Sequence, residues 1–197
     1  MSSTATGSDA PVPKLKGVPE YVAAFDKLFG GELNAHNVQV AIATFESTLI
    51  TTGSPFDEYL MGADGAISAG AKDGYALFKE NGCAGCHAGQ ILGGQSYEFM
   101  GRAADYFADR GNVGEADQGR FNHTGKEGDR YKFKVPTLRN VEVSYPYFHD
   151  GSTSDLAAAV RTMAEYNCGT ELDAAAVEKI VAFLKTLTGE YLGKRLK

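Results

Sequence analysis

Apolar residues recur at helical spacing in five parts of the chain, and this pattern predicts most of its regular structure. A Gly-Gly pair stops the first helix, and Asn34, Ser68 and Asp173 stand where N-caps are expected for three others. Ser154 or Asp155 caps the remaining one. The predicted helices cover residues 20–29, 34–50, 69–80, 155–166 and 173–189. The pattern therefore predicts an all-α fold without an internal repeat.

The third predicted helix ends at residues 83–87, which read CAGCH, the attachment signature of c-type haem. Cys83 and Cys86 can each add to a vinyl group of the porphyrin, and His87 beside them reaches the iron from one face. Structural zinc needs four nitrogen or sulfur ligands, and the chain has one further cysteine, Cys168. A thioredoxin-like redox pair is also disfavoured, because the flanking residues predict no strand. One covalently bound haem c is therefore the expected cofactor.

Residues 89–128 are rich in glycine and show no sustained period. An irregular stretch of this length is uncommon unless it wraps a ligand or serves a partner, and a haem edge is the expected ligand. Arg120 in this stretch and Arg139 beyond it are candidate propionate contacts, because a guanidinium fork fits a carboxylate. The alternative interpretation, which the sequence leaves open, is that each arginine is a charged residue at the protein surface.

The ligand on the second face of the iron decides the chemistry. A His/Met iron is saturated and suits electron transfer, whereas an open site admits peroxide. Met163 lies on an apolar helical stripe, and the residues alone leave open whether it binds iron or fills the core. The other candidates are Met61, Met100, His36, His123 and His149.

Charge and composition narrow the function classes. The chain has 19 Lys and Arg against 25 Asp and Glu, a net charge of -6, which argues against nucleic-acid binding. No apolar run approaches the length of a membrane span. Residues 1–17 predict a disordered tail and contain no apolar core of an export signal. Covalent haem attachment nevertheless takes place outside the cytoplasm, so a periplasmic location is expected.

Several strings, in order, resemble the C-terminal haem domain of the bacterial di-haem cytochrome c peroxidases. They are SPFDEYLMG, GYALFKENGCAGCHAG, ILGGQSYEFMG, DQGRF, KVPTLRNVEVSYPYFHDGS, DLAAAVRTMAEY and IVAFLKTLTGE. The resemblance runs from about Glu20 to Glu190. It implies a cytochrome c-like domain whose first and last helices cross at Gly74, with Phe183 or Leu184 nearby.

The resemblance also implies site residues. In this family the C-terminal haem is the high-potential, electron-donating one and has a histidine and a methionine as axial ligands, so His87 and Met163 become the expected pair. A calcium ion held partly by backbone carbonyls is implied at Ser144 and Pro146. His149 is implied to be a hydrogen-bonded structural histidine.

Cys168 departs from the family, where an apolar residue is expected. An inert buried thiol is the default interpretation, and dimer formation by oxidation is the alternative. The expected domain organisation is a disordered tail, a helical extension left from a preceding haem domain, the haem domain itself and a C-terminal tail. These cover residues 1–17, 18–66, 67–190 and 191–197.

The sequence contains one CxxCH motif and no tryptophan, whereas the family uses a second haem motif for peroxide and a tryptophan between the haems. The chain is therefore expected to be a c-type electron-transfer protein with one His/Met haem. The alternative is a peroxidase or peroxidase subunit whose second haem comes from a missing domain or a partner. A haem-based sensor or structural subunit is a third class. Expected partners are a small cytochrome c, a cupredoxin or a peroxidatic haem domain, together with a second copy of the chain.

Overall fold

A computed structural model describes residues 11–197 of the chain. It divides into two compact units, and the division falls between Ile50 and Thr51. The predicted boundary at residues 66 and 67 lies later in the chain, and the difference has a physical cause. The helix after the division buries Phe56 in the core of the second unit, so this helix belongs with the haem motif.

The first unit contains three helices, α1 (Pro11–Lys16), α2 (Pro19–Phe29) and α3 (Ala35–Glu46). Helix α1 occupies part of the segment predicted as a disordered tail, which corrects that prediction for residues 11–16. The N–H groups of a first helical turn have no partner within the helix, so prolines there cost no hydrogen bond. The lysines of the last turn stabilise α1, because their positive charge lies near the negative end of the helix dipole. The prediction for residues 1–10 lies outside the described residues.

Helices α2 and α3 are close to their predicted ranges. Gly30, at φ 65°, ends α2, and the Asn34 side chain caps α3 by accepting from the Asn37 N–H at 2.8 Å. Helix α3 ends at Glu46 rather than near Ile50, because the N–H groups of Thr48 and Leu49 bond three residues back and tighten the chain into a turn.

Two helices form the core of the second unit, α5 (Ala69–Glu80) and α9 (Ala174–Lys185). They cross at Gly74, where a Cβ atom would overlap the backbone carbonyl of Lys179. Phe78 and Phe183 pack beside the crossing with ring centroids 5.3 Å apart. The predicted caps are confirmed, since Ser68 and Asp173 accept backbone N–H groups at 3.2 and 2.7 Å. The crossing predicted at Gly74 is therefore present.

The remaining elements are short and surround this helix pair. Helix α4 (Pro55–Leu60) precedes it, and between the pair lie α6 (Tyr106–Arg110), α7 (Phe121–Thr124) and α8 (Leu156–Met163). Strands β1 (Tyr97–Phe99) and β2 (Lys132–Lys134) pair antiparallel with Glu98 opposite Phe133. The glycine-rich stretch is thus built from short segments, and the all-α prediction is confirmed apart from small two-stranded sheets.

The structure differs from the predicted elements at two further places. Helix α8, capped by Asp155, ends at Met163, and a π-helical turn (Ala164–Cys168) replaces the predicted continuation to Tyr166. The segment assigned as a C-terminal tail forms a hairpin of β3 (Glu190–Tyr191) and β4 (Lys194–Arg195). Among the described helices, none has the length and apolar character needed to cross a bilayer.

Candidate haem site

The CAGCH motif forms a tight turn directly after α5. Gly82, at φ 80°, takes the left-handed conformation that ends the helix, and Cys83–Gly85 follow as a single 3-10 turn. The His87 N–H donates to the Cys83 carbonyl at 3.0 Å. The turn fixes both cysteines and His87 on one short segment beside the α5–α9 core, which Cys83 contacts.

The His87 imidazole is oriented by the backbone. Its Nδ1 lies 3.2 Å from the Leu92 carbonyl oxygen, and because a carbonyl only accepts, Nδ1 carries the hydrogen. This tautomer leaves the lone pair on Nε2, the form in which imidazole binds a metal. Burial lowers the pKa of His87, which also favours the neutral ring. His87 therefore has the chemical form that an axial iron ligand requires.

Leu92 is a site residue that the sequence pattern did not single out. Its carbonyl also accepts from the Leu138 N–H at 3.2 Å, and the Gly94 N–H donates to Val135 at 2.7 Å. Gly93 allows this close approach, because a Cβ there would overlap the Pro136 carbonyl. The Gly-Gly pair after Leu92 was the available sequence signal for a backbone contact of this kind.

Cys168 lies against the haem motif. Its Sγ is 4.0 Å from the Cys83 Sγ, although the residues are 85 positions apart. Contact with Cys168 and burial raise the pKa of the Cys83 thiol, whereas the hydrogen bond from Cys83 and the charge of Arg102 lower the pKa of Cys168. This contact brings the π-helical turn that follows Met163 next to the haem-attachment turn.

Met163 stands at the junction of α8 and this π-helical turn, and its side chain is half-buried. Leu156 and Val160, earlier on α8, pack on the same core that Cys83 and Ala84 contact. Met163 lies one turn after Val160, so it continues the helix face that borders the haem motif. Single π-helical turns inside helices are frequent at functional sites. This geometry favours Met163 among the candidate second ligands.

The other candidate methionines and histidines lie in two kinds of surroundings. Met61 is 78% exposed after α4, and His36 and His123 are exposed on α3 and α7. Met100 is half-buried and lines a cavity of about 320 Å³ that the segment after β1 forms with Phe107 and Tyr131.

Asn167 of the π-helical turn holds the segment that lines this cavity. Its side chain bonds the Phe99 carbonyl and the Gly101 N–H, both at 2.9 Å. Part of the glycine-rich stretch is therefore attached to the turn that follows Met163.

Comparison with known proteins places this site in a family. The family model described as di-haem cytochrome c peroxidase matches residues 2–65, and the one described as cytochrome c matches residues 71–188. The chain is 46% identical over 174 residues to a cytochrome c551 peroxidase of Nitrosomonas europaea, covering 88% of this chain and 51% of that protein. The chain belongs to the di-haem cytochrome c peroxidase family.

Two further relatives show how much of a family member the chain represents. It is 44% identical over 183 residues to the cytochrome c peroxidase Ccp of Escherichia coli, covering 93% of this chain and 39% of that protein. The chain thus spans about half, or less, of the length of these two peroxidases. A crystal structure of a MauG-like protein associated with microbial copper homeostasis matches with a TM-score of 0.68 at 24% identity, covering 96% of this chain and 64% of that one. This last likeness supports the cytochrome c-like fold.

A cytochrome c domain in this family implies a covalently bound haem c. The residues fit such a group, because the turn presents Cys83, Cys86 and a His87 ring whose Nε2 carries the lone pair. The chain is accordingly a haem protein of the peroxidase and MauG type.

Arg139, a candidate propionate contact, makes contacts within the protein. Its Nη2 donates to Asp57 at 2.7 Å, Nη1 to the Ser54 hydroxyl at 2.9 Å and Nε to the Gln90 carbonyl at 3.1 Å. These bonds connect the segment after β2 with the start of α4 and with the loop after His87. Propionate binding by Arg139 stays a prediction, and its observed contacts are with the protein.

Arg120 is more available to a ligand. Its side chain is 41% exposed, its Nε lies 3.5 Å from Asp129, and its guanidinium stacks over the Tyr97 ring at 4.3 Å. Surface pairs of this geometry are weak, so the guanidinium can exchange Asp129 for another carboxylate at small cost. A propionate contact at Arg120 stays a prediction.

The family's implied calcium ligands lie in the turn between Val143 and Tyr147. The Tyr145–Pro146 peptide bond is cis, and within the described residues the carbonyls of Ser144 and Pro146 accept no hydrogen bond. Two carbonyls supply fewer than the six to eight oxygens that calcium takes. A calcium site here therefore needs further ligands and stays a prediction.

His149 is hydrogen-bonded in a polar cluster around the buried Asp117. Its Nε2 lies 2.7 Å from Asp117 Oδ1, and because a carboxylate only accepts, Nε2 carries the hydrogen. The cluster also contains Arg110, which bonds Asp117 at 2.6 Å and Asp150 at 2.8 Å. His149 is thus committed to Asp117 and holds the aromatic turn against α6.

Asp117→Asn is expected to lower the free energy of unfolding by about 2 kcal/mol at pH 7, because it removes a charge-assisted hydrogen bond of the partly buried Arg110 and leaves Asp150 as its remaining carboxylate partner. Arg110 and the Gly114 N–H hold the pKa of Asp117 at about 2, below its ordinary value of 3.8. A lowered carboxyl pKa stabilises the fold above the unfolded value, and this stability is lost as the pH falls towards 2.

Denaturant unfolding of both proteins between pH 7 and pH 2.5 tests this expectation. The difference between wild type and Asp117→Asn should be constant down to about pH 4 and shrink below it. Glu115→Gln, at an exposed neighbouring position, is the matched control and should change little. A difference that stays constant to pH 2.5 would show that the Asp117 pKa is not lowered.

Proposed function

We propose that this chain holds one haem c through Cys83 and Cys86, with His87 and Met163 as axial ligands, and that it transfers electrons. The observation that carries the proposal is the Cys83–Cys168 contact of 4.0 Å. It brings the turn that begins after Met163 to the turn that contains His87. This contact supports the proposal that a histidine on one segment and a methionine on the other bind the same iron.

The proposed roles follow from the chemistry of the side chains. The bound haem supplies an iron that changes between Fe(II) and Fe(III). His87 binds it through Nε2 and is kept from turning by the Leu92 carbonyl. Met163 contributes a soft thioether, which favours Fe(II) and raises the reduction potential. With His87 and Met163 both binding the iron, the protein would leave no coordination position for peroxide, and electron transfer would be the reaction that remains.

The proposal extends to location and partners. Covalent attachment of haem c takes place outside the cytoplasm, which supports the periplasm. A donor such as a small cytochrome c or a cupredoxin is expected to reduce the chain, which passes the electron to a peroxidatic haem domain. Ile42, Phe45 and Leu49 are exposed in the first unit, which supports covering of this face by another domain or a second copy.

A second candidate is a peroxidase subunit that reduces hydrogen peroxide with a haem from elsewhere. Two relatives favour this candidate, because both are named as cytochrome c peroxidases. This chain covers 51% of the length of one and 39% of the other. In this candidate the electron-transfer role of the chain is the same, and the peroxide-binding haem lies in a missing domain or a partner protein.

The haem-loaded chain tests the proposal in one preparation. We expect one haem per chain by pyridine haemochrome, a low-spin ferric spectrum, fast electron exchange with a reduced small cytochrome c and no peroxide turnover above that of free haem. His87→Ala is the control for loading and should lose the low-spin spectrum. A high-spin ferric spectrum together with peroxide turnover by the chain alone would contradict the proposal. Turnover that appears only with an added haem domain would support the second candidate.

A further inference from the structure

Two thiols from distant parts of the chain are in contact, and one of them is needed for haem attachment. The Sγ atoms of Cys83 and Cys168 lie 4.0 Å apart, and both residues are half-buried and unbridged. Cys83 opens the 3-10 turn of the haem motif, and Cys168 closes the π-helical turn after Met163. The sulfurs need to approach by about 2 Å to reach the S–S bond length.

We propose that Cys168 is the redox partner of Cys83 in the haem-free chain, and that a Cys83–Cys168 disulfide blocks the thioether bond at Cys83. The disulfide is inferred from the contact between the two Sγ atoms alone. Its effect on haem attachment rests on the proposed function. Oxidised haem-free chain has no thiol at position 83, so it can form at most the thioether at Cys86. Reduction of the disulfide restores both thiols.

The oxidation is a thiol–disulfide exchange with a disulfide of low molecular mass, such as glutathione disulfide, as oxidant. The Cys168 thiolate attacks one glutathione sulfur, which forms a mixed disulfide and releases one glutathione thiolate. The Cys83 sulfur, after loss of its proton, attacks the Cys168 sulfur and releases the second. The two cysteines lose two electrons and two protons in total, and one glutathione disulfide becomes two glutathione molecules.

Cys86 is the competing partner, and the fold decides between the two. In an unfolded chain the three-residue separation of Cys83 and Cys86 makes their encounter far more frequent than one across 85 residues. In the folded chain the contact with Cys83 is made by Cys168, and within the described residues no sulfur contact is recorded for Cys86. A Cys83–Cys168 disulfide is therefore a product of the folded chain alone.

Peptide mapping of the full-length haem-free chain tests the disulfide. The chain is reduced, oxidised with glutathione disulfide at pH 7.5, alkylated and digested with trypsin. We expect the peptide of residues 80–102 to be joined to that of residues 162–179, with one alkylated cysteine in the first. Cys86→Ala should keep this link, and Cys83→Ala and Cys168→Ala should lose it. In 8 M urea the product should change to the Cys83–Cys86 disulfide.

Three outcomes would overturn the disulfide. They are a Cys83–Cys86 disulfide in native buffer, an intermolecular dimer through Cys168 on a non-reducing gel, and a link that Cys86→Ala abolishes. The haem-loaded chain gives an independent measurement, because Cys83 and Cys86 are then thioethers. Maleimide should label one thiol, that of Cys168, in each loaded chain and none in loaded Cys168→Ala. Labelling of no thiol in the loaded wild type would also count against the proposal.

Haem attachment to the oxidised and reduced chains tests the block. Incubation with ferrous haem should give the two-thioether pyridine haemochrome for the reduced chain and at most the one-thioether spectrum for the oxidised chain. Two-thioether attachment to the oxidised chain would overturn the block. Failure of the fully reduced chain to attach haem would instead contradict the proposed function, while the mapped disulfide would still support the pairing of Cys83 with Cys168.

Discussion

Met163→Ala is expected to lower the reduction potential of the haem-loaded chain by on the order of 100 mV, because it removes the thioether that favours Fe(II). The same substitution should abolish the methionine-to-iron charge-transfer band and give the iron an open position. The Met163→Ala chain should then bind peroxide or carbon monoxide, which the wild-type chain does not bind. Redox titration and absorption spectra of the two proteins measure these changes.

Two other methionines serve as controls for this prediction. Met61→Ala, at a position 78% exposed after α4, should leave potential and spectrum unchanged. Met100→Ala is the sharper comparison, because Met100 lines the cavity held by Asn167 of the same π-helical turn. Loss of the charge-transfer band in Met100→Ala and its retention in Met163→Ala would show that Met100 is the ligand.

Gly74→Ala is expected to reduce the free energy of unfolding by about 2 kcal/mol, a fall of about 5 °C in Tm for a unit of this size. The added methyl group would overlap the Lys179 carbonyl at the crossing of α5 and α9, so the two helices must move apart. Phe78 and Phe183, which pack beside the crossing, would lose contact as they do so. Thermal and denaturant unfolding measure the loss.

The same substitution elsewhere in α5 provides a control of opposite sign. Gly70→Ala meets only the Ser68 hydroxyl at 3.9 Å, an ordinary contact. In a helix, alanine is better than glycine by about 1 kcal/mol, so Gly70→Ala should be neutral or stabilising. Equal effects at the two positions would show that the α5–α9 crossing is not as close as the structure has it.

The elements that the sequence predicted correctly depend on neighbours in the chain. The N-caps at Asn34, Ser68 and Asp173 each bond an N–H three residues away, so a local pattern contains the whole interaction. The CAGCH motif is local in the same sense, because one turn presents both thiols and His87. Gly74 is the exception, and its crossing was predicted through the family resemblance.

The positions that the sequence did not predict depend on contacts between distant residues. Helix α4 joins the haem unit because Phe56 enters its core and Asp57 pairs with Arg139. Arg139 therefore makes contacts within the protein that could not be inferred from the chemistry of its side chain, which suggested a propionate partner. Leu92 was missed for a different reason, since it acts through a backbone carbonyl that every residue possesses.

The sequence by itself determined the attachment chemistry of this protein, because two thiols and an imidazole within five residues need no further contact to define a haem motif. Only the tertiary structure decided what faces that motif. Packing of α5 on α9, and of α8 on the same core, brings the turn after Met163 to Cys83 and places Cys168 against its sulfur. The periodicity of a helix shows which face is apolar, and the partner of that face is set by the packing of the whole core.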